Sequence, residues 1–413
     1  MLQSQQVAEA PLTALQELRS RWLILLASFV GIGVGVVSLP IYPLGVIMGA
    51  LHADFGWSRG VLSLAPSVTG MAVAITGIFY GSAMDRWPFE RYVIPISHLC
   101  VAGGLTLLSL MPNAPGVYLA IYASLGVAGV ATSTVGYSRV IALNFSAARG
   151  TALAGMMLGV STAAIFTPIF ATWAIAHYGW RGAYAGFAMV AGGVGLPASA
   201  ILWFATAPRR APPVISGASL SARAIMRTRV FWTMAFGFMA AVLAVQGMSL
   251  HIVPLLRDHN FGAAEAAGYA SLLGVAMTLA RLLSGLLLDR VHGPWIAAGI
   301  SALAAFGMLA MWLQIPFWPV IGALAVGAAW GAEHDVAAYL TSRYYGTQSF
   351  GRAFGLSYFF FVAGSLISFS AYGFIFDWQG NYDPALIGAL IALTLSVIAF
   401  LTLPPYPKLE AER

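Results

Sequence analysis

Twelve apolar runs of about 20 residues or more follow one another along the sequence, each closed by a charged or Pro/Gly-rich break. A helix of that length rises roughly 30 Å, the thickness of a bilayer's hydrocarbon core. Inside hydrocarbon every backbone N–H and C=O must find its partner without water, and for segments this long the α-helix satisfies that condition within the segment itself. The runs lie at 22–50, 59–82, 92–112, 115–143, 148–176, 182–206, 230–255, 265–288, 294–315, 317–343, 350–376 and 384–403. They predict an all-α polytopic membrane protein with twelve transmembrane helices. Composition agrees: 60% of residues are hydrophobic and 8% charged, against about 25% charged in soluble domains. The first run is too long for a cleaved signal-peptide core and is expected to remain as a span.

Charge placement orients these helices. With both termini in the cytoplasm, Arg86, Arg91, Arg149, Arg209, Arg210, Arg223, Arg227, Arg229, Arg290, Arg343 and Arg352 fall on the inner side, and only Arg59, Arg181 and Arg257 fall outside. Such an excess is the positive-inside pattern of an inner-membrane protein. The net charge of +6 therefore reflects topology, since the arginines are scattered through short loops and build no nucleic-acid-binding stripe. Cys100, the single cysteine, has no intrachain partner for a disulfide and is expected to be a small packing residue.

The chain also divides in two. Residues 207–229 carry Pro208, Pro212, Pro213 and five arginines, reading as a cytoplasmic linker between an N-terminal six-helix half (1–206) and a C-terminal half with a short cytoplasmic tail (230–413). The halves repeat one another at a spacing of about 204 residues. Gly81-Ser-Ala-Met-Asp85-Arg86 matches Gly285-Leu-Leu-Leu-Asp289-Arg290, Ser138-Arg139 matches Ser342-Arg343, and Arg149 matches Arg352 with a slip of one. Two parallel repeats with a site between them at the midplane are a transporter architecture.

On these residues the chain resembles the major facilitator superfamily along almost its whole length. The Gly-x-x-x-Asp85-Arg86 turn followed by Arg91 is similar to that family's cytoplasmic gating loop, and the resemblance implies gating roles for Asp85, Arg86, Arg91, Asp289 and Arg290. The entry to the fifth span, Phe145-Ser-Ala-Ala-Arg149-Gly150-Thr-Ala152-Leu-Ala-Gly155-Met-Met-Leu-Gly159, resembles the monocarboxylate-transporter group, which includes bacterial oxalate/formate exchangers. The pairs Phe55-Gly56-Trp57-Ser58-Arg59 and Tyr178-Gly179-Trp180-Arg181 resemble the group's bacterial members. The chain departs from relatives at two places: Met277 stands where an acid precedes the helix 8 arginine, and the eleventh span has only Arg352, at its inner end. The resemblance implies a proton-linked symporter of monocarboxylates, and a dianion held by two deep cations is disfavoured.

The intramembrane charges carry the functional expectation. Arg281 lies inside the eighth span, where insertion costs about 2.5–3.5 kcal/mol, so it is expected to face the bundle interior or a cavity; the resemblance, in which a helix 8 arginine followed by Gly-x-x-x-Asp-Arg holds the substrate carboxylate, implies that it is the substrate-carboxylate ligand. Tyr42, Gln246, His251, Tyr358 and Ser365 are further polar groups within spans; Tyr42, Gln246 and Tyr358 are read as substrate-binding. In the tenth span, Glu333 and Asp335 are candidate proton carriers, and their spacing of two puts them on opposite sides of the helix. His334 is a candidate relay. Arg281 lies eight residues before Asp289 and Asp335 eight before Arg343, so both sit roughly 12 Å from the inner helix ends, with Glu333 about 3 Å higher. Phe359-Phe360-Phe361 and the tryptophans are expected to face lipid or the membrane interface. No nucleotide-binding loop, Cys/His cluster or sizeable soluble domain is present in the sequence. The expectation is a monomeric non-enzymatic transporter of a small organic anion, without cofactor or metal. An exporter or exchanger of another solute, or a membrane sensor, is the alternative.

Overall fold

The computed structural model describes residues 13–86, 90–205, 220–288 and 290–406, apart from the side chains of Ser82, Asp85, Arg86, Glu90, Ala205, Thr347 and Gln348. No strand occurs among the described residues. Nine helices among them are long and apolar enough to cross a membrane. One of these, Arg149–Phe204, reverses at Gly179 (φ 69°) and counts as two passes. Adding 115–144 and 318–345 brings the passes to twelve; the latter turns back into the next helix at Gly346, also at φ 69°. A positive φ costs glycine nothing, so each reversal takes a single residue.

We number the passes α1 (Trp22–Phe55), α2 (Arg59–Arg86), α3 (Glu90–Ser109), α4 (115–144), α5 (149–178), α6 (180–205), α7 (Arg229–Asp258), α8 (Ala263–Leu288), α9 (Gly293–Leu313), α10 (318–345), α11 (347–379) and α12 (Asp383–Leu401). They fall where the apolar runs predict them, with ends displaced by five residues at most, the largest shift being Phe55 against 50.

Four apolar clusters fill the interior. Two are built mainly by α1–α6, one around Tyr118, Tyr122 and Tyr184 and the other around Tyr137, Ile141 and Met156. The other two belong mainly to α7–α12, around Met248, Leu256 and Met308 and around Phe231, Leu340 and Phe400. This is the expected arrangement of two six-helix halves. Large apolar side chains cover the outside: Ile78, Phe79, Met189 and Phe204 are all exposed, as suits helices solvated by lipid. Cys100 is one of these outward residues and not the packing residue expected of it.

Lipid supplies no hydrophobic drive between helices, so close contacts rely on small side chains. Gly159 of α5 lies against the Phe29 carbonyl of α1, leaving no room for a Cβ. At the junction of the halves, a Cβ on Gly274 of α8 would stand 2.7 Å from the Ile165 nitrogen of α5. Polar contacts also join the halves, with Ser67 Oγ of α2 donating to the Leu366 carbonyl of α11 at 2.6 Å.

The short helix Ala14–Ser20 is held by one acid. Glu17 is buried and accepts from the backbone N–H of Ser146 (2.9 Å) and Ala148 (2.8 Å), from the Ser146 hydroxyl, and from Arg21. Those amides stand at the start of α5, whose own N-cap residue, Ala148, offers no side-chain acceptor. Glu17 therefore caps α5 from a distant part of the chain. Burial pushes its carboxyl up, but the Ala148 and Ser146 bonds and Arg21 outweigh that and hold it below the ordinary carboxylate range.

Candidate functional site

Two helices are broken at mid-membrane, and the breaks meet. Helical bonding in α1 is interrupted at 34–37, after Gly33, and again at 42–43. In α4 a 3₁₀ turn, Val130–Thr132, separates Pro115–Ala128 from Thr134–Asn144. Thr132 Oγ1 accepts the Val36 N–H at 3.0 Å, Ser133 Oγ accepts the Val135 N–H at 3.2 Å, and the Ser38 hydroxyl bonds the Ile32 carbonyl at 2.7 Å. Hydroxyls thus replace the helical partners that the breaks remove. Irregular backbone at this depth is tolerated where it is buried in protein or lines a cavity.

A cavity of ≈ 240 Å³ adjoins the breaks, walled by both halves. Arg281, Tyr42, Gln246 and Tyr358 line it together, with His334 and Ser365. Four helices far apart in sequence, α1, α7, α8 and α11, bring the substrate-binding candidates to one space. Arg281 is only 7% exposed. Its Nε and Nη1 have no hydrogen-bond partner, and the one acid within ion-pair range among the described residues is Asp335, Oδ2 standing 4.0 Å from Nε. That distance exceeds a hydrogen bond, so the guanidinium is neutralised without being satisfied. Its donor fork remains available.

The two acids of α10 part company, as their spacing requires. Asp335 turns toward Arg281, and its side chain is 39% exposed. Glu333 is buried in a separate small pocket among Phe238, Val245, Ile300 and Phe400, with neither carboxylate oxygen hydrogen-bonded. His334, between them, faces the cavity. His251 lies elsewhere: its Nδ1 is 2.8 Å from the Tyr382 hydroxyl and its Nε2 3.3 Å from the Phe369 carbonyl.

Aromatic residues wall the cavity to an extent the sequence does not signal. Trp330 stands 5.3 Å from Tyr42, centroid to centroid, across the junction of the halves. Phe361 stands 4.3 Å from His334 and 5.5 Å from Tyr358. Phe359 is exposed toward lipid, as expected of the phenylalanine run, but Phe361 is buried and lines the cavity. About half a turn of α11 separates the two environments, which the run Phe359-Phe360-Phe361 alone cannot reveal. Trp330 also lines the cavity, whereas the tryptophans as a group are expected at lipid or the membrane interface. The signals that could have located the site are the helix breakers Gly33, Gly35, Pro40 and Pro43 in one run and Gly129 with Thr132-Ser133-Thr134 in another.

At the face opposite the termini the halves are tied together. Arg59 Nη1 and Nη2 each donate to Asp258 at 2.6 Å, Nη1 reaches the Tyr382 hydroxyl at 3.0 Å, and the guanidinium lies 3.7 Å above the Phe376 ring. The amides of Arg59 and Gly60 donate to Asp377 at 3.0 and 2.8 Å. Of the residues expected to gate the other face, Arg91 packs on Tyr92 and Trp203 of its own half. Arg290 is exposed. Asp289 and the side chains of Asp85 and Arg86 lie outside the described residues.

Comparison with known proteins follows this geometry. The family profile described as Major Facilitator Superfamily matches residues 22–369. Monocarboxylate transporter 13 of Bos taurus is 26% identical over 397 residues, covering 93% of this chain and 89% of its own. The protein of the same name in Rattus norvegicus is 26% identical over 403 residues. Among solved structures, a bacterial homolog of the human lysosomal transporter Spinster, inward-facing and occupied, matches with a TM-score of 0.65 at 16% identity, over 93% of this chain and 95% of that one. The nucleoside transporter NupG matches with a TM-score of 0.69 at 14% identity, over 92% and 98%.

Proposed function

The chain belongs to the Major Facilitator Superfamily, and from that premise we propose that it is a secondary active transporter moving a small organic anion, a monocarboxylate, by alternating access together with a proton. The observation that carries this reading is Arg281, a buried guanidinium with two unbonded nitrogens in a cavity between the halves. A buried cation left short of partners is costly, and a carboxylate suits its fork. The monocarboxylate transporters similar to this chain support the same class.

A coupling scheme follows. With the cavity empty, Asp335 neutralises Arg281 at 4.0 Å. An entering carboxylate takes the fork, and Asp335, deprived of its partner, takes up the proton that travels with the substrate. Asp335 is favoured over Glu333 for this role because Glu333 points into an apolar pocket on the other side of α10. Tyr42, Gln246 and Tyr358 contact the rest of the anion. Alternation moves residues 1–206 against 230–413 about the linker 207–229, with Asp85, Arg86, Arg91, Asp289 and Arg290 gating the inner face. The arginine asymmetry supports an inner-membrane location with both termini cytoplasmic, and we take the protein to act as a monomer, without a cofactor.

Uptake of labelled mono- and dicarboxylates into proteoliposomes, with and without a pH gradient, tests the proposal. Monocarboxylates should accumulate when the gradient is imposed. Arg281→Lys should abolish most of that transport because a point charge replaces the fork. Asp335→Asn should spare substrate exchange and remove gradient-driven accumulation, while Glu333→Gln retains both. A folded Arg281→Lys protein with normal carboxylate affinity would refute the assignment.

A further inference from the structure

We propose that the carboxylate this cavity accepts carries an aromatic ring, so that the substrate class is an arylcarboxylate and not a short aliphatic acid. This rests on the carboxylate reading of Arg281 and extends it to the other end of the ligand. The cavity is polar at one place and aromatic around it. Arg281 is the one charged residue in its lining among the described residues, so a ligand matched to it has a single anionic end. Tyr42 and His334 line the same cavity as Arg281, so the cation and the rings share one space.

The rings form two clusters, Tyr42 with Trp330 and His334 with Phe361 and Tyr358. Trp330 and His334 are four residues apart on α10, about one turn and a backbone rise of about 6 Å, so the two clusters stand on the same face of that helix. Aromatic pairs interact at centroid separations of roughly 4.5–7 Å. A flat ring set against α10 therefore meets both clusters at once. Surface is also left open: Tyr358 is 40% exposed and Tyr42 and Trp330 are partly exposed, and all three line the cavity. A ligand of similar character that fills the cavity would bury that surface. A short aliphatic acid would engage Arg281 and leave those faces wet.

The test is counterflow of labelled phenylacetate and labelled lactate in proteoliposomes holding the full chain, with Tyr358→Leu, Trp330→Leu and Trp330→Phe alongside wild type. Wild type should take up phenylacetate with a KM about tenfold below that for lactate, an effect of the size expected from one or two ring contacts. Removing one ring, in Tyr358→Leu or Trp330→Leu, should raise the phenylacetate KM by about 2- to 10-fold and the lactate KM by a clearly smaller factor. Trp330→Phe should recover most of the loss. Tyr358, partly exposed, can be truncated without opening the core, so the comparison stands even if Trp330→Leu does not fold. Equal KM values for the two acids in wild type, or parallel losses for both in Tyr358→Leu, overturn the aromatic assignment and leave the carboxylate reading in place. Uptake of neither acid, with Arg281→Lys indistinguishable from wild type, overturns both.

Discussion

Replacing Asp258 with asparagine should loosen the face opposite the termini. In the structure that acid receives both ends of the Arg59 fork at 2.6 Å, and the same guanidinium lies on Phe376. Hydrogen bonds to charged groups contribute about 1.5–3 kcal/mol when buried. Here the side chains are 20% and 32% exposed, so solvent screening draws the pair toward the roughly 1 kcal/mol of an exposed bridge. Asparagine keeps one acceptor and the shape of the side chain. A loss of about 1–1.5 kcal/mol is then expected, which shifts a two-state equilibrium by roughly fivefold to tenfold. The shift is toward states in which this face is open, because the bond joins α2 of one half to α7 of the other. Spin labels at Gly116→Cys and Gln379→Cys, on opposite halves in a background where Cys100 is alanine, would report it as growth of a longer distance by pulsed EPR. Raising salt to about 1 M, where the Debye length is about 3 Å, should narrow the difference between variant and parent. Superimposable distance distributions at low salt would show that Arg59 and Asp258 do not hold this face shut.

Four further outcomes are expected. Because the folded Glu17 carboxyl lies below its unfolded value, the docking of Ala14–Ser20 is present above an unfolded pKa of about 4.3 and lost as pH falls through the folded value; a spin label at Leu15→Cys should be immobile at neutral pH and freed by acid, whereas Glu17→Gln should free it at every pH. Glu333→Met should raise the melting temperature in detergent by removing a buried acid without a hydrogen-bond partner, and a fall would reveal that the acid has a partner. Gly274→Leu should lower the stability by the amount typical of overpacking, about 1–3 kcal/mol, since the α5 backbone blocks any side chain there; an unchanged melting curve would mean the halves do not meet so closely. Cysteines placed in 207–229 should react with impermeant reagents only from the cytoplasm, and labelling from the periplasm would reverse the topology.

Run length and the cost of an isolated charge are local properties, and what depends on them was legible in the sequence. Each pass appears because about 20 consecutive apolar residues leave a hydrated chain no better option than a helix in the bilayer. Arg281 stood out because nothing in its own run offsets its charge, and counting residues to the inner markers set it level with Asp335. The spacing of Glu333 and Asp335 likewise required them to face apart. Which of the two meets Arg281 was not available, because residues advance about 100° around a helix and the rotation of α10 is set by its neighbours. The same reason hid Phe361, which lines the cavity while Phe359 faces lipid. It also hid Arg59 with Asp258, 199 residues apart, and Glu17 with the start of α5. Such pairs exist only once distant helices have packed, since small side chains such as Gly159 and Gly274 determine how closely and at what rotation the helices approach. The cavity is therefore a property of the assembled helices, and the sequence carried only its charge and the breaks at its edge.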